Sequence, residues 1–97
     1  MILEIADIWV KEGMQADYEA GMRNALPYLT EIEGYISYEI RHGVEEPTRY
    51  LLLIKWESIE AHMVNFRESE NYEKYRAHVS DFIDKGSMSH FNLVELD

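Results

Sequence analysis

The stretch RYLLLIKW, Arg49 to Trp56, constrains the fold of this chain more than any other. Read as a strand, it sends Tyr50, Leu52, Ile54 and Trp56 to one side and Leu51, Leu53 and Lys55 to the other. Both sides are apolar, so both must be covered. A chain of 97 residues closes only about two-thirds of the surface that its unfolded form exposes. Helices can cover one side of such a sheet, and a partner subunit is the expected cover for the other.

The remaining elements follow from changes of period. Residues Ile2 to Val10 alternate as a strand and stop at Lys11-Glu12-Gly13. Met14, Tyr18, Met22, Ala25 and Leu29 then recur at helical spacing, with Gly21 and Ala25 small enough to approach a sheet closely and Pro27 as a local cost. After Glu33-Gly34, YISYEIRH directs Ile36, Tyr38, Ile40 and His42 to one face and Tyr35, Ser37, Glu39 and Arg41 to the other. A loop from Gly43 to Thr48 turns the chain into the apolar strand. Ser58 is placed to cap a short helix bearing Ile59, His62, Met63 and Phe66, and Ser69 a longer one bearing Tyr72, Tyr75, Val79, Phe82 and Ile83. Ser89 to Leu96 reads as the last strand. The order β-α-β-β-α-β predicts an α+β, ferredoxin-like fold, with an antiparallel sheet carrying its helices on one face and a single domain over residues 1–97.

Charge narrows the partners. The net charge of −10 repels phosphate backbones and anionic headgroups, so neither nucleic acid nor a membrane surface is expected. The acids are dispersed as a solvated face rather than gathered as a metal cage. With no cysteine, disulfides and thiolate chemistry are absent. MILEIADIWV carries Glu4 and Asp7 within its apolar run and has no basic stretch before it, so it reads as a first strand and not as a signal peptide or a membrane span. The expected location is the cytoplasm. Gly-rich phosphate loops and the HExxH and GxSxG motifs are also missing, which removes the nucleotide, zinc-protease and serine-hydrolase readings.

What remains is a set of histidines and aromatics on inward faces. His62 is spaced three from Ile59 and four from Phe66, on the apolar stripe of its helix. A buried imidazole needs a hydrogen-bond partner and titrates near neutrality. It serves either as a general base or substrate donor, or as a structural group bonded to the backbone. His42 closes the Tyr38 face at the mouth of the hairpin, and His90 begins the last strand. Trp56, Tyr38, Phe66 and Phe82, converging with His62 between sheet and helices, describe a pocket for a flat aromatic ligand.

The run WESIEAHMVNFRES, with PTRYLLLIKW before it, EGYISYEI earlier and the closing SHF, resembles the antibiotic biosynthesis monooxygenase family of the dimeric α/β barrel superfamily. The resemblance covers nearly the whole chain and implies a homodimer. It also implies an oxygenase without cofactor or metal, in which a phenol or quinol is deprotonated in the pocket and its carbanion reacts with O₂. In one polyketide-tailoring member a Trp matching Trp56 and a His matching His42 line the active site, while an active-site Tyr falls at His62 and an Asn at Leu52. The haem-degrading branch has an Asn, a Trp and a His ligand where this chain has Asp7, Phe66 and Arg76, so haem is a poor fit.

The expected activity is therefore oxidation of a small phenolic or quinol-type aromatic by O₂. His62, Trp56 and His42 are the expected catalytic residues, and Tyr38, Phe66, Phe82, His90 and Asp7 are expected to contact the substrate. His62 should share a helix-to-sheet cavity with Trp56, approached from a strand by His42 or His90. A non-catalytic dimeric module that binds an aromatic ligand in the same pocket is the alternative.

Overall fold

A computed structural model describes residues 1–97. The elements are β1 (Ile2–Val10), α1 (Gln15–Thr30), β2 (Tyr35–His42), β3 (Arg49–Trp56), a π-helical turn (Ala61–Phe66), α2 (Glu70–Ala77), a 3₁₀ turn (Ser80–Phe82) and β4 (Ile83–Phe91). The strands pair antiparallel in the order β2-β3-β1-β4, which is the ferredoxin-like arrangement expected, and the sheet is open at both edges.

The inner row of β3 behaves as its alternation requires. Tyr50, Leu52, Ile54 and Trp56 are all buried, and Trp56 is 0% exposed. They pack with Ala6 and Val10 of β1 against Tyr18, Met22, Ala25 and Leu29 of α1. Both serine caps form: Ser58 Oγ accepts from the Ala61 N–H at 3.1 Å, and Ser69 Oγ accepts from the Tyr72 N–H at 3.1 Å. Each satisfies a donor that the first turn would otherwise leave open.

Four local expectations are corrected. A register shift between Tyr35 and Ser37 brings Tyr35 edge-on to Trp56 at 6.2 Å, away from its expected place on the outer face. A bulge moves side chains across a sheet in this way. The segment after Ser58 is a π turn closed by Arg67 N–H donating to the His62 carbonyl at 2.9 Å. This wider turn keeps Ala61, His62 and Phe66 inside and leaves Ile59 49% exposed. Helix α2 ends at Ala77, so Val79 lies beyond it, Phe82 falls in the 3₁₀ turn and Ile83 opens β4. The Lys11 N–H donates to the Phe82 carbonyl at 2.9 Å, and Val10 pairs with Ile83, because the free edge of β1 takes its hydrogen bonds from whichever chain passes. The last strand accordingly ends at Phe91 and does not extend to Leu96.

Gly21 approaches α2 rather than the sheet: a Cβ there would overlap the backbone carbonyl oxygen of His78. Backbone cannot swing aside as a side chain can. Gly21→Ala gains helix propensity but separates the two helices, and the expected net effect is a loss of about 1–2 kcal/mol, to be measured by urea denaturation.

Candidate functional site

The inner face of β1 carries Glu4, Ala6, Ile8 and Val10, and Glu4 is only 5% exposed. A carboxylate taken out of water needs partners or it holds a proton. Glu4 has them from two other elements. The Trp56 indole Nε1–H donates to Glu4 Oε1 at 2.9 Å, and the same oxygen lies 3.4 Å from His62 Nε2. Burial pushes the Glu4 carboxyl above its ordinary range, and the Trp56 bond and the Arg67 charge only partly offset this.

His62, 2% exposed, lies against Trp56 with ring centroids 5.2 Å apart at 20°. Its Nδ1 is 2.8 Å from His90 Nε2. Strand register brings this partner in, since Glu4 pairs with His90 across β1 and β4. Burial, followed by the charges of His90 and Arg67, lowers the His62 pKa to about 4. The imidazole is therefore neutral at physiological pH and does not form an ion pair with Glu4. The result is a polar row, Trp56–Glu4–His62–His90, in which every buried side-chain nitrogen and oxygen has a partner.

In front of this row is a cavity of about 660 Å³ between the sheet and the helices. Ala6, Ile8, Leu52 and Ile54 form its sheet wall, Tyr18 and Met22 its α1 wall, and Tyr72 and Tyr75 its α2 wall. Glu4 is the only carboxylate in the lining, which Arg67 and Arg76 also join. Burial raises the Tyr18 phenol to about 12 and the Tyr75 phenol further still, so both remain protonated.

The residues expected from sequence fall into three groups. Trp56, His62, Phe66 and His90 are brought together, but as the wall behind Glu4, and none of them lines the cavity. His42 and Tyr38 line a second recess of about 480 Å³ on the other flank of α1. There His42 stacks on Tyr50 at 4.3 Å, and its Nε2 is 2.6 Å from the Pro47 carbonyl oxygen, because the hairpin carries it away from β4. Phe82 lines neither space. Asp7 is on the outer face of β1, where Arg49 grips both carboxylate oxygens at 3.0 and 2.7 Å and holds the acid below its usual range. Sequence reasoning missed Glu4 as a site residue, although the parity of β1 carried the signal: Glu4 shares a face with Ala6 and Val10.

Known proteins resemble this chain in sequence and fold. The family model for antibiotic biosynthesis monooxygenases matches residues 1–78. The uncharacterized protein YczJ of Bacillus subtilis is 36% identical over 77 residues, covering 79% of this chain and 81% of YczJ. The crystal structure of a Bordetella bronchiseptica protein described as an antibiotic biosynthesis monooxygenase matches with a TM-score of 0.93 and 34% identity over 97% of each chain. SnoaB, a cofactor-independent oxygenase from Streptomyces nogalater, matches with a TM-score of 0.84 over 98% of this chain and 94% of its own, at 9% identity, which is a likeness of fold.

The low pKa of His62 has a consequence for stability. Between its ordinary value of about 6.5 and about 4, the unfolded chain binds a proton that the folded chain refuses, so stability falls as pH drops through that window. Glu4, shifted upward, acts in the opposite sense, and His62→Gln leaves that contribution in place. Thermal melts across the window should show a shallower acid decline for His62→Gln than for the unsubstituted protein.

Proposed function

The chain belongs to the antibiotic biosynthesis monooxygenase family, and we propose that it oxidises a phenolic or quinol-type aromatic with O₂ in the cavity beside Glu4, without flavin, haem or metal. The observation that carries this reading is a single buried carboxylate, its pKa raised, facing an apolar cavity and backed by two histidines. A cavity of about 660 Å³ is in the range that holds a ligand of two or three fused rings.

Glu4 accepts the phenolic proton as general base. With His62 in the tautomer that donates from Nδ1 to His90 Nε2, its Nε2 is free to receive that proton, and His90, only partly buried, passes it toward water. The phenolate gives one electron to O₂, and the radical pair joins at ring carbon to form a C–O bond. Loss of the ring hydrogen and cleavage of the O–O bond leave a quinone, with the second oxygen atom departing as water. The proton needed for that water returns along the same row. All four electrons come from the substrate, so no external reductant enters.

A second copy of the chain is proposed to cover the outer sheet face. Leu3, Ile5, Trp9, Leu51 and Leu53 are only half-buried there. Despite the chain's net charge of −10, Arg41, Arg49, Lys55 and Lys85 outnumber Asp7 and Glu39 on that face, so two copies meet without strong repulsion. No helix is long and apolar enough to cross a membrane.

The assembly test is light scattering at micromolar concentration, with twice the chain mass expected and the chain mass alone sinking the idea. The activity test is oxygen uptake against hydroquinones, naphthols and anthrones with no added metal or flavin. Glu4→Gln should lower kcat by about two to four orders of magnitude. In the unsubstituted protein kcat/KM should rise with pH through the Glu4 pKa, above the ordinary 4.5. Binding of these compounds without uptake would leave a non-catalytic aromatic-binding module.

A further inference from the structure

The cavity lining carries polar side chains of opposite sign. Glu4 is its acid, held deep by Trp56. Arg67 and Arg76 are exposed residues that reach the lining, which sets them at the opening. Arg41, Arg49 and Lys74 each pair with a carboxylate, whereas neither Arg67 nor Arg76 does. The opportunity exists: Glu73 precedes Arg76 by three residues on α2, a spacing at which helical side chains meet. Instead both guanidinium groups lie over one aromatic ring, Arg67 at 4.8 Å and Arg76 at 5.9 Å from the Tyr72 centroid. Two arginines that share one aromatic ring and one cavity lining, neither with a carboxylate at ion-pair distance, form a local positive site.

Resting on the reading of the cavity as a phenol site, we propose that Arg67 and Arg76 form an anion clamp at its mouth and that the substrate is a hydroxylated aromatic carboxylate. The ring system enters the apolar cavity, the hydroxyl meets Glu4, and the carboxylate stays at the arginines. Guanidinium groups stacked on an aromatic face keep their N–H edges free for the paired bonds that carboxylates accept. The buried acid and the exposed arginines also set the direction of entry. A ligand inserted carboxylate-first would bring two like charges together against the buried Glu4, where their repulsion is poorly screened. The clamp further offsets the repulsion that the acidic surface as a whole exerts on an anion.

The test reads binding and not turnover, so it separates this proposal from the oxygenase reading. Under argon, isothermal titration calorimetry compares a hydroxynaphthoate, with hydroxyl and carboxylate at opposite ends of the rings, against the naphthol that lacks the carboxylate. The expected result is that the hydroxynaphthoate binds about ten- to a hundredfold more tightly, an advantage that shrinks as salt is raised and disappears in Arg67→Gln/Arg76→Gln, the ratio of the two affinities within each protein cancelling any change common to both ligands. Each single substitution should remove part of the advantage, which keeps the test decisive if the double variant does not fold. Equal affinities in the unsubstituted protein, an advantage that survives both substitutions, or no binding of either compound would overturn the clamp. Clamp-dependent binding without oxygen uptake by any compound would instead retain the clamp and discard the oxygenase. Uptake with naphthol and no preference for the carboxylate would do the reverse.

Discussion

The interior depends on how the Glu4 carboxylate is kept out of water. Its partners come from β3 through Trp56 and from the π turn through His62, and β4 supplies His90 behind them. Moving β1 by one residue against either neighbour would turn Glu4 to the outer face and fill its place with Leu3 or Ile5. That exchange would leave the Trp56 N–H and the His62 Nε2 buried without a partner, at a cost of about 1–3 kcal/mol for each unsatisfied group. The polar row thus fixes the register of the central strand from both sides. The site is a condition of the fold and not an addition to it.

The π turn serves the same constraint. An α-helical turn from Ser58 would have kept Ile59, His62 and Phe66 on one stripe, with Ile59 inside. Widening the turn rotates Ile59 out and seats His62 between Trp56 and His90. A π turn costs helix stability and is found mostly where a particular side chain has to be aimed. Here the gain is a buried imidazole with both ring nitrogens near polar partners.

How much of this was legible depends on whether the information is local. β3 announced itself through two apolar faces, and both serine caps were visible as single residues in front of apolar periods. The buried place of His62 also followed from spacing. β4 did not: its sequence IDKGSMSHF is polar and contains Gly86, and it is a strand because the edge of β1 needs partners, a demand that arises in three dimensions. The Tyr35 bulge is likewise set by the register with β3. Glu4 was legible in principle, since strand parity puts it with Ala6 and Val10. A charged residue on an inward face is easily read as a break in the pattern, although it is there that a polar site shows in sequence.

The arrangement separates two tasks that the proposed reaction has to keep apart. Proton movement needs polar, connected groups, whereas a reactive carbanion has to be kept from water until O₂ arrives. In this fold the polar groups are stacked one behind another in the wall, and the cavity sees only the first of them, Glu4. The row then leads away from the cavity, through a histidine too buried to hold a charge and on to one that is partly exposed. A neutral imidazole at His62 can pass a proton by receiving it on one nitrogen as it releases another, without becoming a stable cation beside the substrate. The low His62 pKa, unsuited to a lone general base at neutral pH, suits the proposed relay behind a carboxylate whose own pKa burial raises.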